Sequence, residues 1–113
     1  MKLILAIVKP FKVSELVDAL HQSPDNPGMT VLGGRGYVRP TATTSAHEAD
    51  AGTDFSENAL VFVAAPQAQV KRLVELITRV AHTGRPGDGK IFVLPIAEAV
   101  ALTTGARGEA ALG

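Results

Sequence analysis

A chain of 113 residues with an apolar fraction of 46% has room for one domain and a modest core, which association with further copies would help to complete. Its formal net charge is zero, which argues against a nucleic-acid module with its basic face and gives no polybasic membrane-surface signal. It has no cysteine, so disulfides, thiolate metal sites and cysteine nucleophiles are excluded.

No stretch has the roughly 20 apolar residues needed to span a bilayer. Met1-Lys2 leads straight into an apolar strand without a small-residue cleavage site, and a cytoplasmic location is expected. Lys2 to Val8 is apolar on both parities, the pattern of a strand buried on both faces, and Lys9-Pro10 ends it. Val13, Leu16, Val17 and Leu20 then form one helical stripe, with Ser14 as the expected N-cap. Pro24, Pro27 and Gly28 stop that helix. A second strand is predicted over Met29 to Tyr37, weakened by Gly33, Gly34 and Gly36.

From Val38 to Asn58 the apolar periodicity lapses, and this span is read as a mobile loop inside the domain, because strong elements flank it. Ala59 to Ala65 is a third strand, apolar on both faces. Pro66 pre-sets a helix start, and Val70, Leu73, Val74, Ile77, Val80 and Ala81 form a long apolar stripe. A glycine-rich loop, Thr83 to Lys90, precedes a short strand over Ile91 to Leu94, stopped by Pro95. The tail, about 96–113, reads as weakly helical and then as rich in Gly and Ala.

The order strand, helix, strand, loop, strand, helix, strand is a ferredoxin-like βαββαβ arrangement, an α+β fold with a four-stranded antiparallel sheet in a single domain, 1–113. Two helices cover one face of such a sheet, yet the first and third strands are apolar on both. The open face is therefore expected to be covered by other copies of the chain.

The loop Thr83-Gly84-Arg85-Pro86-Gly87-Asp88-Gly89-Lys90 is the stretch with most chemistry in it. Its glycines let backbone N–H groups approach an anion, and Lys90 adds a point charge suited to phosphate. It is not a Walker A loop, because the spacing and the Ser or Thr after Lys are missing. On the residues alone, a helix-to-strand turn that merely needs glycine stands beside the phosphate reading.

This loop, continued through Ile91-Phe92-Val93, resembles the B-loop signature of the PII signal-transduction family. Lys2-Leu3-Ile4 through Lys9-Pro10-Phe11-Lys12 resembles that family's first strand, Gly28-Met29-Thr30-Val31 the start of its second, and Thr104-Gly105-Ala106-Arg107-Gly108-Glu109 its C-terminal run. The resemblance implies a homotrimer, an adenine nucleotide in each intersubunit cleft, and a T-loop, here about 38–58, that docks on a target protein such as a transporter or an enzyme. By the same resemblance Gly87, Asp88, Gly89 and Lys90 would cradle the phosphates, with Arg39 as a further phosphate contact. Thr30, Ile7, Val63 and Ala64 would line the adenine pocket.

Several positions depart from the family pattern. Pro40 replaces a glutamine that helps bind magnesium and 2-oxoglutarate, and Asn58 a lysine that pairs with the 2-oxoglutarate carboxylate. Ala101 and Thr103 replace two arginines that grip the outer phosphates. Each charge-assisted bond is worth roughly 1.5–3 kcal/mol, so ADP or AMP is expected to bind at least as well as ATP. Arg107 is a candidate substitute for the missing arginines. Ala51 stands at or beside the place where many members carry a modified tyrosine, and the only tyrosine, Tyr37, falls in the second strand, so that modification is not expected, and Ser45 is read as a solvated loop residue. These losses resemble carboxysome-associated members that bind ADP or AMP and bicarbonate. The alternative is the ordinary nitrogen-regulatory role, sensing ATP and 2-oxoglutarate.

His47, Glu48 and Asp50 are too close in sequence to converge on a metal without a turn, and no metal site is expected. His82 and His21 are read as helix-terminal cations, His82 with a trimer contact as the other bland reading. Asp88 and Glu109 are not an acid–base pair, and no nucleophile has a positioned base, so the chain is not expected to be an enzyme.

Overall fold

The computed structural model describes residues 1–37 and 55–113. Arg39, Pro40, Ser45, His47, Glu48, Asp50 and Ala51 lie outside the described residues. The elements run β1 (Lys2–Val8), a 3-10 turn (Pro10–Lys12), α1 (Val13–Gln22), β2 (Thr30–Tyr37), β3 (Phe55–Ala65), α2 (Gln67–Ala81), β4 (Gly89–Pro95) and a second 3-10 turn (Gly108–Leu112). The sheet is antiparallel throughout, in the order β2-β3-β1-β4. This is the ferredoxin-like α+β architecture that the element order implies.

The core lies between one face of the sheet and the two helices. β1 contributes Ile4, Ala6 and Val8, and β3 contributes Ala59, Val61, Val63 and Ala65. Leu16 and Leu20 of α1 and Val70, Leu73, Ile77 and Ala81 of α2 meet them, so both predicted stripes face inward. Among the described residues no polar or charged side chain is buried, and no helix is long and apolar enough to cross a membrane.

The other face carries the opposite parity. Three cross-strand rows follow from the register: Leu32, Leu60, Ile7 and Lys90; Thr30, Phe62, Leu5 and Phe92; and Ala64, Leu3 and Leu94. Neither α1 nor α2 lies over this apolar face. Leu32, Phe92 and Leu94 remain exposed, as does Leu102 of the tail.

Four local expectations are corrected. Ser14 is not the N-cap of α1. The helix continues directly from the Pro10–Lys12 turn, where the N–H of Lys12 and that of Val13 already donate to the carbonyls of Lys9 and Pro10, so no side-chain cap is required. β3 begins at Phe55 rather than Ala59. Ser56, Glu57 and Asn58 pair with Gly36, Arg35 and Gly34, a polar stretch held by backbone pairing and not by apolar alternation. β4 extends from Gly89 to Pro95. The tail forms a small hairpin rather than a helix, with Val100 bridged to Arg107, because Gly105 and Gly108 adopt left-handed conformations that break helical repetition.

Candidate functional site

The chain between α2 and β4 folds around one carboxylate. Asp88 accepts a hydrogen bond from the Thr83 backbone N–H at 2.8 Å, one from the Gly84 N–H at 3.0 Å, and a short one from the Thr83 hydroxyl. The Arg85 N–H in turn donates to the Thr83 hydroxyl oxygen at 3.1 Å. The Thr83 hydroxyl, then its N–H, then the Gly84 N–H hold the Asp88 carboxyl below the usual carboxylate range. Asp88 therefore organises the loop from inside, and its oxygens are directed at loop donors. His82, the residue that ends α2, places Nδ1 3.5 Å from Asp88 Oδ2, so beyond the dipole role read from the sequence it also faces the loop carboxylate.

All three glycines in this loop have conformational reasons, Gly84 at φ +80 among them. Gly87 has φ +85 and Gly89 φ +118, regions that L side chains avoid. At Gly89 there is also no space: a Cβ would overlap the carbonyl oxygen of Ile7 on the adjacent strand. β4 thus starts in close contact with β1, and Lys90 lies directly opposite Ile7.

Beside this junction is a cavity of about 310 Å³, lined among others by Ile7, His82, Asp88, Gly89 and Lys90, with Ile77 of α2 at its apolar wall. Its volume is at the lower end of small-molecule sites. A second groove of about 500 Å³ runs along β2 and β3 beside Pro10 and takes in Asn58. The Asn58 amide there lies over Gly36, where a Cβ would come within 2.6 Å of its Nδ2.

The fold brings Ile7, Asp88, Gly89 and Lys90 together, with Gly87 in the same loop. It does not bring Thr30 and Ala64 to them. Those two lie near each other on β2 and β3, on the same open face. Thr30 and Lys90 are three strand spacings apart, roughly 14 Å across the sheet. One chain therefore carries two separate parts of the expected site. Arg107 is held within the tail hairpin, paired to Glu98 by a short contact. Ala101 is also part of that hairpin, donating to Ala106 and accepting from Gly105.

Sequence reasoning assigned Lys9 only to the end of β1. Its Nζ reaches the glycine loop, 3.3 Å from where a Cβ on Gly87 would stand. The signal available in the sequence was its position directly after a strand whose neighbour begins at the loop. Among the described residues no group of three His, Asp or Glu stands together in a way that could hold a metal.

The family model described as Nitrogen regulatory protein P-II matches residues 1–106. The chain is 41% identical to the nitrogen regulatory protein P-II of Azospirillum brasilense, over 99% of this chain and all of that one. It is 36% identical, over the same shares, to nitrogen regulatory protein P-II 1 of Escherichia coli strain K12. The crystal structure of Arabidopsis thaliana PII bound to citrate superimposes with a TM-score of 0.78 at 32% identity, covering 97% of this chain and 90% of that one.

Proposed function

This chain belongs to the PII family, whose members are signal-transduction regulators and not enzymes, and from that premise we propose that it is a trimeric adenylate sensor. It binds ADP or AMP in preference to ATP in the clefts between subunits. It signals to a target protein, a transporter or an enzyme, through the segment between β2 and β3, from a single domain in the cytoplasm.

The observation that carries this reading is the loop held by Asp88. It is preformed, rich in glycine, and flanked by Lys90 and Lys9 at the mouth of a cavity lined by Ile7. Backbone N–H groups in such a loop, together with lysine ammonium groups, are suited to phosphate. The separation of Ile7 and Lys90 from Thr30 and Ala64 supports a site completed by a second copy. The uncovered row of Thr30, Phe62, Leu5 and Phe92 supplies an apolar surface for that copy to cover.

The preference for short phosphate chains follows from Ala101 and Thr103, which offer no cation. Removal of two charge-assisted contacts, each about 1.5–3 kcal/mol, weakens a triphosphate by a factor of a hundred or more relative to a site that has them. Pro40 and Asn58 remove two groups suited to 2-oxoglutarate, and bicarbonate is the second ligand that this pattern favours. The second reading is nitrogen control through ATP and 2-oxoglutarate, favoured by what the relatives are named for.

Calorimetric titration with AMP, ADP and ATP, each with and without magnesium, bicarbonate and 2-oxoglutarate, separates the two. Micromolar ADP or AMP binding, tightened by bicarbonate and indifferent to 2-oxoglutarate, is the expected result. Magnesium–ATP binding strengthened by 2-oxoglutarate restores the nitrogen reading. Absence of nucleotide binding leaves a trimeric interaction module.

A further inference from the structure

Lys9 lies one residue beyond β1, whose last residue, Val8, pairs with Gly89. Its side chain turns back over the loop. A Cβ on Gly87 would lie 3.3 Å from Lys9 Nζ and 3.8 Å from its Cε, so the ammonium rests above the Gly87 backbone in space left by the missing side chain.

The charge at this point has no counterion among the described residues. Lys9 is half-buried, and its ammonium forms no ion pair or hydrogen bond among the described residues. The nearest acid in the loop, Asp88, is committed to Thr83 and Gly84 and faces His82. A partly desolvated ammonium without an acceptor is unfavourable, and an anion placed over the loop corrects it. Lys90 stands at the same corner, opposite Ile7. Two lysines thus flank glycines whose backbone can approach a phosphate.

We infer that Lys9 is a specificity-determining cation of this site: with Lys90 it holds the phosphate chain over Gly87, and it carries a larger share of that charge here because Ala101 and Thr103 offer none. This rests on the nucleotide reading. On this reading the charge of the site comes from the end of β1 and the start of β4, both fixed by the sheet.

The test uses the full chain and its Lys9→Gln variant, each titrated with adenosine and with ADP at two salt concentrations. Lys9→Gln is expected to weaken ADP by about ten- to a hundredfold, to leave adenosine unchanged and to flatten the salt dependence of ADP binding. Thermal melting of the free variant within a few degrees of the parent shows that it folds. Equal ADP affinity in parent and variant overturns the role of Lys9 while the nucleotide reading stands. Equal loss of adenosine and ADP shows a structural role and likewise overturns it. A parent chain that binds neither removes the nucleotide reading itself.

Discussion

Gly89→Ala tests whether β4 must begin in contact with β1 for the site to exist. The new Cβ overlaps the Ile7 carbonyl oxygen and lies 2.8 Å from the Ile7 carbonyl carbon. Both are backbone atoms, so no side-chain rotation relieves the clash, and β4 has to retreat by more than an ångström. The residue also keeps φ +118, which costs a non-glycine residue about 1–3 kcal/mol. One or two ladder hydrogen bonds between Ile7–Val8 and Gly89–Lys90 are weakened, at about 0.5–1.5 kcal/mol each. The sum is about 1.5–6 kcal/mol, which for a chain of this size lowers the melting temperature by about 6–24 °C. Melting is followed by circular dichroism at fixed protein concentration, because association alters apparent stability. Gly33→Ala is the control: nothing lies within 4 Å of its Cβ and its φ is ordinary, so it is expected to be neutral or to stabilise by up to about 1 kcal/mol. A Gly89→Ala chain that melts within 2 °C of the parent refutes the close approach.

Four further outcomes are expected. In Asp88→Ala no acceptor remains where three donors converge, so the loop opens; amide exchange at Gly84 accelerates at least about tenfold and ADP binding weakens, whereas unchanged exchange contradicts the organising role. The depressed Asp88 carboxyl stabilises the folded loop above its unfolded value near 3.9 and loses that contribution as pH falls through the lower folded value; amide shifts of Thr83 and Gly84 that titrate at or above about pH 4 refute this sign. Arg72 pairs with Asp25 at 2.7 Å and holds its carboxyl below the ordinary range through that hydrogen bond, so Arg72→Ala lowers the melting temperature at low salt, with less effect in 1 M salt, and equal melting at low salt shows the pair to be inert. Leu5→Asp introduces a charge between Phe62 and Phe92 on the face opposite the helices, and light scattering is expected to find a folded monomer where the parent chain forms the proposed trimer; equal oligomeric states of parent and variant remove that face from the interface.

The fold was legible because its elements have unambiguous periods. Val70, Leu73, Ile77 and Ala81 repeat at helical spacing, and β1 and β3 are apolar on both parities, so even the uncovered face could be read in advance. Boundaries were less legible where pairing, and not side-chain burial, holds the backbone. Ser56 to Asn58 give no apolar signal, and their strand depends on the glycines of β2 opposite. Ser14 has the chemistry of a cap, but the preceding 3-10 turn had already taken that role. In the site, the glycine loop and Lys90 were legible as residue types at a spacing. That Asp88 turns inward, that Arg107 pairs with Glu98, and that Lys9 leans over Gly87 depend on side-chain directions that spacing does not encode.

The most direct measurement is equilibrium dialysis of labelled ADP against the full chain and its Lys90→Gln variant, at physiological ionic strength. Saturable binding of one ADP per chain, weakened at least about tenfold by Lys90→Gln, is the expected result. No saturable binding, or equal binding by both proteins, contradicts a phosphate site at the Thr83–Lys90 loop.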